Sequence, residues 1–109
     1  MSHRISSIAL LAGLLASTPV LAGPEFTIVI KDHRFQPAEL EIPAGERVKL
    51  KIDNQDPTPE EFESYSLNRE KIIPGNSTGV VFVGPLDPGT YEYFGEFNEA
   101  TAQGKLIAK

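Results

Sequence analysis

The chain has 109 residues, with 15 acidic side chains, 10 Lys or Arg and no cysteine, giving a formal net charge of −5. That length fits one domain of the usual size, roughly 100 to 200 residues, and leaves no room for a second. The missing cysteine excludes disulfides and any thiolate-bound metal, and the acidic balance argues against nucleic acid or an anionic membrane as partner, because both repel negative charge.

Residues 1–22 have the layout of a secretory signal peptide. Arg4 gives a positive start, Ile8 to Leu15 is an apolar run, and Val20-Leu21-Ala22 places small or modest residues at the cleavage-reading positions, so cleavage is expected after Ala22. A membrane anchor fits less well. Ser17, Thr18 and Pro19 interrupt the apolar stretch, and a span needs about 20 predominantly apolar residues. Cleavage removes Arg4 and no acid, making the remaining domain, residues 23–109, more acidic by one charge. The domain is therefore expected to be exported.

From residue 23 onward, apolar residues recur at alternate positions in short bursts separated by Pro and Gly, the pattern of half-buried strands. Phe26, Ile28 and Ile30 alternate with Thr27, Val29 and Lys31; Leu40 and Ile42 follow, and Pro43-Ala44-Gly45 turns the chain. Val48, Leu50 and Ile52 alternate with Arg47, Lys49 and Lys51, so one face is buried and the other wet. Between Asp53 and Gly79 the alternation fades among prolines and charges, and a long connection is expected there. Within it, Phe62, Tyr65 and Leu67 fit a fragment of strand, while Leu67 to Lys71 also fits a helical turn. Val80 to Val83, Tyr91 to Phe94 and Lys105 to Ala108 complete the series, with Asp87-Pro88-Gly89 turning the chain between the first two. The pattern implies an all-β fold, a Greek-key β-sandwich of about seven strands. Phe94 and Phe97, on either side of Gly95, are expected to pack in the core, and Gly95 itself suggests a place where something approaches the backbone closely.

Two acidic segments stand out, Pro59-Glu60-Glu61-Phe62-Glu63 and Gly95-Glu96-Phe97-Asn98-Glu99. Charge runs are usually solvated surface, but carboxylate and amide oxygens are also hard donors suited to iron, manganese, calcium or magnesium. His33, the one histidine after residue 22, lies in a polar loop, where a lone histidine is more often exposed or hydrogen-bonded than a metal ligand. Arg69-Glu70-Lys71 fits either local ion contacts or a docking patch. With one histidine and no cysteine in the domain, the usual nucleophilic triads are ruled out. There is no Gly-rich phosphate loop.

The order of these motifs resembles a known family. Asp32-His33-Arg34-Phe35-Gln36-Pro37, then Leu40 to Gly45, Val48 to Ile52, Asn54 and Asp56, is similar to the first half of a cupredoxin. Tyr91 to Asn98 with Gly104 to Ile107 is similar to its last two strands and the loop between them. The resemblance implies a cupredoxin-like sandwich in which the position of the blue-copper cysteine falls on Gly95, that of the neighbouring histidine on Asn98, the axial ligand near Gln103, and the upstream histidine on Glu60 or Glu61. Without sulfur, no type 1 centre is expected.

The wording from Thr58 to Ser64, Arg69 to Lys71, Gly84 to Leu86, Gly95 to Phe97 and Thr101 to Gly104 narrows the resemblance to the periplasmic cupredoxin-like component found beside bacterial high-affinity iron permeases. That family is associated with handling, and oxidising, ferrous iron before transport. A histidine commonly holds there the place of Asn98, so the chain departs from the pattern at a ligand position. The resemblance implies a site for an iron or copper ion drawn from His33, Glu60, Glu61, Glu63, Glu96 and Asn98, with periplasmic or inner-membrane iron-transport proteins as partners and no nucleic acid. A homodimer is compatible with it, and whether the protein turns over is left open. The rival reading is a metal-free sandwich that binds another periplasmic protein through its acidic loops.

Overall fold

The structure is a computed structural model, and it describes residues 23–109. The expected signal peptide lies outside the described residues. Strand β1 spans Glu25–Lys31, β2 Arg34–Gln36, β3 Glu39–Ile42, β4 Val48–Asn54, β5 Glu60–Ser64, β6 Arg69–Ile73, β7 Ser77–Val83, β8 Gly89–Gly95 and β9 Gln103–Ala108. A short 3-10 turn, Glu96–Asn98, follows β8.

The nine strands form two sheets. One runs β2-β1-β4-β7 and the other β3-β9-β8-β5-β6. Most neighbours are antiparallel, but β1 pairs parallel with β4 and β3 pairs parallel with β9, so the chain crosses repeatedly between the layers. The two parallel pairings tie residues far apart in sequence. Between the layers lies the core, to which the alternating residues of the first strands contribute Ile28, Ile30, Val48, Leu50 and Ile52, all essentially inaccessible. Phe35, Phe62 and Tyr93 meet at its centre: Phe62 stacks on Tyr93 at 4.8 Å between centroids, and Phe35 stands edge-on to both, at 5.0 Å from Tyr93 and 6.2 Å from Phe62.

Nine strands rather than about seven are present among the described residues, and the stretch expected to be a long connection holds β5 and β6. The reason is chemical. The inward positions of β5 are Glu60, Phe62 and Ser64, so two of its three core-facing residues are polar and the apolar alternation vanishes from the sequence. Both polar groups are satisfied inside: Ser64 Oγ donates to the Glu92 carbonyl at 2.6 Å, and Glu60 accepts hydrogen bonds described below. Buried polar atoms with partners cost little, whereas unpaired ones cost dearly. The turn between β5 and β6 is closed by Asn68, whose φ is +55° and whose amide donates to the Tyr65 carbonyl.

Phe94 and Phe97 also differ from expectation. Since Tyr93 and Gly95 point inward, strand alternation turns Phe94 outward, where its ring lies 5.5 Å from that of exposed Tyr65. Phe97, in the 3-10 turn, is 48% exposed.

Removing the central ring tests this packing. Phe62→Ala leaves a cavity between Phe35 and Tyr93 and is expected to cost about 3–5 kcal/mol in urea unfolding; a loss below about 1 kcal/mol would show that β5 is not part of the core.

Candidate functional site

Strand β5 divides its carboxylates between two environments, because successive side chains point to opposite faces. Glu60 points in. It is 1% exposed, and its Oε1 accepts hydrogen bonds from the backbone N–H groups of Glu61 at 3.0 Å and Phe97 at 2.9 Å. Its Oε2 accepts a third from Asn98 Nδ2 at 2.7 Å. Three donors surround a buried carboxylate, the arrangement that makes such burial tolerable. Gly95 makes the arrangement possible: a Cβ there would stand 2.6 Å from Glu60 Cδ and 2.7 Å from the Ala102 Cβ. The close approach expected at Gly95 is therefore that of a carboxylate.

Glu61 and Glu63 point the other way, onto the outer face of the five-stranded sheet. Directly across the β5–β6 ladder from Glu63 stands Glu70, and carboxylate oxygens of Glu61, Glu63 and Glu70 lie within 4.8 Å of one another. Glu96, just past the end of β8, is within hydrogen-bonding reach of both Glu61 and Glu63. Like charges at this spacing repel, and Glu61 is only 7% exposed. Burial first, then the neighbouring Glu96 and Glu70, pushes the Glu61 carboxyl up to about 7. The Glu63 carboxyl is also raised, first by burial and then by the Glu70 charge. Such a group gains from sharing a proton or from a cation.

His33 serves a different device. Asp32 and His33 form the two-residue turn between β1 and β2, both with positive φ, 53° and 57°. A turn with two such residues favours Gly or Asn, and here Asp56 holds it: its carboxylate accepts the Asp32 N–H at 2.8 Å and the His33 N–H at 2.9 Å. His33 Nδ1 lies 3.5 Å from the same carboxylate, and the His33 carbonyl accepts the Thr101 hydroxyl at 2.6 Å. Burial would raise the Asp56 carboxyl, but the two amides and the nearby cations outweigh it and leave it below its ordinary value. Asn54, 1% exposed, completes the network by accepting the Asp56 N–H and donating to the carbonyls of Thr58, Ile73 and Pro74.

The structure thus brings Glu61, Glu63 and Glu96 together on one face, joins Glu60 to Asn98 on the other, and seats His33 against Asp56. Sequence reasoning did not include Glu70, whose signal is its register opposite Glu63 and emerges only once β5 and β6 are paired. Arg69 donates to the carbonyls of Phe82, Leu67 and Asn68, fastening β6 to β7.

Residues 4–108 match the cupredoxin-like domain family along almost the whole chain. The chain belongs to that family. An uncharacterized protein of Rickettsia prowazekii (strain Madrid E) is 47% identical over 83 residues, which cover 76% of this chain and 66% of that protein, just under two thirds of its length. Among solved structures, auracyanin A, a "blue" copper protein of Chloroflexus aurantiacus, superposes with a TM-score of 0.67 at 18% identity, covering 78% of this chain and 98% of its own. The metal-binding domain of the Cu(I)-exporting P-type ATPase CopA of Streptococcus pneumoniae D39, solved with Cu(I), gives 0.66 at 15% identity, covering 78% and 84%. At these identities the likeness is one of fold.

The copper centre of blue cupredoxins does not fit these residues. The chain has no thiolate to offer. A cysteine at Gly95 would collide with Glu60, Asn98 donates its amide nitrogen to that carboxylate, and Gln103 is exposed with its amide bonded to the Glu99 carbonyl. In this cupredoxin-like domain the space is closed by a carboxylate–amide pair.

Two titrations of opposite sign follow. Glu61, raised when folded, contributes stability that is complete below its ordinary value of 4.5 and is lost as pH rises through about 7. In metal-free buffer, Glu61→Gln should unfold at a higher temperature than the parent at pH 8, and the gap should close by pH 4.5; a variant less stable at pH 8 would deny the repulsion. Asp56, lowered when folded, contributes stability present above its ordinary value of 3.8 and lost as pH falls through the folded value. Asp56→Asn should therefore cost about 1–3 kcal/mol at pH 7 in denaturant melts, with the deficit shrinking in acid below 3.8; a deficit independent of pH would assign the loss to packing instead.

Proposed function

We propose that this cupredoxin-like protein is a periplasmic metal-handling accessory of a bacterial iron or copper uptake system, and that iron is its cargo. The observation carrying this reading is the convergence of Glu61, Glu63 and Glu70, with Glu96 beside them, at the outer face where β5, β6 and the end of β8 meet. Supporting it are the resemblance of the 58–64 and 95–104 segments to the component found beside iron permeases, and family membership.

Four carboxylates supply hard oxygen donors, and such donors suit iron, manganese or calcium better than Cu(I). Because these anions repel one another, a cation relieves strain that the apo-protein bears, and protons compete with it as pH falls below about 7. Anionic oxygen ligands favour ferric over ferrous iron, since they stabilise the higher charge. In this reading, oxidation of bound ferrous to ferric iron passes one electron to a one-electron acceptor, a redox partner protein or a copper(II) ion that is reduced to copper(I). The site's place on the sheet surface suits loading and release rather than permanent retention.

Calorimetric titration of anaerobic ferrous iron, and of Mn(II) as a redox-inert probe, tests the reading at pH 7.5. One ion should bind per chain, and Glu61→Gln or Glu96→Gln should weaken it at least tenfold, no less than the roughly 10-fold cost of disturbing outer partners of a metal site. Glu41→Gln, at the β3 margin of the same sheet and away from the cluster, should bind as the parent does. Heat-silent titrations, or affinity unchanged in both outer-face variants, would remove these carboxylates from any cation site.

A further inference from the structure

The two outward faces of the sandwich carry opposite charge. On the four-stranded sheet the outward positions include Lys31, Arg34, Lys49 and Lys51, and Arg47 lies 4.2 Å above the Phe82 ring; the acids there are Glu25, bound to Lys49 and Lys51, and Asp53. On the five-stranded sheet the outward strand positions carry Glu39, Glu41, Glu61, Glu63, Glu70 and Glu92. Lys105 and Lys109 reach only Glu39 and Glu41, at its β3 margin. Lys105 also stands across the β8–β9 ladder from Glu92, whereas Glu61, Glu63 and Glu70 have no ion-pair partner among the described residues.

This acidic face is also apolar in the middle. Tyr65 is 78% exposed, Ile72 is 56% exposed, and Phe94 lies half-buried against Tyr65. Phe94 and Glu92 together form a wall between two hollows. One, of about 480 Å³, is lined by Tyr65, Ser66, Thr90, Glu92 and Phe94. The other, of about 410 Å³, lies toward β9, where Glu39, Glu99, Gln103 and the basic Lys105 join the shared wall.

We propose that this face, centred on Tyr65, Glu92 and Phe94, is a docking surface for a cationic segment of a partner protein, with one basic side chain seated in the hollow that Tyr65, Thr90, Glu92 and Phe94 line. The chemistry is specific to such a segment. An aromatic wall with a carboxylate beside it offers an Arg or Lys head both a ring face and an ionic hydrogen bond, and the planar guanidinium stacks where a metal ion finds no converging donors. Charge complementarity selects a basic occupant, and long-range attraction orients its approach. Glu61, Glu63, Glu70 and Glu96 lie along the rim of the same face, so a docked partner sits beside the carboxylate cluster, but the docking residues themselves are outside it. Docking therefore does not depend on metal.

The test uses a fluorescein-labelled hexa-arginine peptide, with hexa-glutamate as control, in chelating buffer so that the outcome is separate from that of the metal titration. Binding should saturate, weaken with salt, and fall about threefold in Tyr65→Ala and in Glu92→Gln, the effect of one lost exposed cation–π or ionic contact. Phe82→Ala, on the opposite face, should bind as the parent does. Amide shifts on titration should cluster at Tyr65, Thr90, Glu92, Phe94 and Gln103. Unchanged affinity in Tyr65→Ala, whose exposed side chain leaves folding intact, or shifts spread evenly to Glu25, Asp53 and Asp87, would overturn the proposal. So would sedimentation showing that the protein alone self-associates through Tyr65, because the occupant would then be the basic face of a second copy.

Discussion

Much of the working end of this molecule depends on where one buried carboxylate finds its hydrogen bonds. Glu60 sits in the interior of the sandwich, a place where an unpaired charge would be prohibitive, and its partners come from its own strand and from the 3-10 turn after β8. Those bonds pin the 96–98 turn onto β5. With the turn pinned, Glu96 has no freedom to drift from Glu61 and Glu63. A structural anion on one face of β5 thus assembles a reactive cluster of anions on the other.

The exchange this represents, relative to blue-copper cupredoxins, is more than loss of ligands. Glycine at position 95 and glutamate at position 60 are coupled: the carboxylate needs the space that a side chain at 95 would take. Neither residue alone would suit a copper-binding sandwich or this one. The polar interior that results is satisfied by donors, whereas the outer cluster of Glu61, Glu63 and Glu70 has no ion-pair partner among the described residues.

Most of the framework was legible from residue order. The strict alternation in Val48 to Ile52 and in Phe26 to Ile30 reflects one buried and one wet face, and both strands are present. What the alternation could not reveal was β5, because Glu60 and Ser64 occupy inward positions that hydropathy assigns to the surface. Missing β5 meant missing its pairing with β6, and with it the register that sets Glu70 against Glu63. The outward turn of Phe94 had the same origin, since large rings flanking a glycine look like core until the strand phase is known. For His33, the polar loop favoured a structural role over a ligand; the turn geometry and the Asp56 carboxylate reveal what it does in the fold. The two acidic segments lie side by side in the fold, but their carboxylates are split between the two faces of a single strand, which only the pairing of β5 makes visible.

Strand β9 occupies an interior place in the five-stranded sheet, between β3 and β8. Its parallel pairing with β3 joins residues far apart along the backbone, so the entropy of closing that loop is lost before the contact rewards it. Closure of β3 onto β9 is therefore expected among the slower steps of refolding.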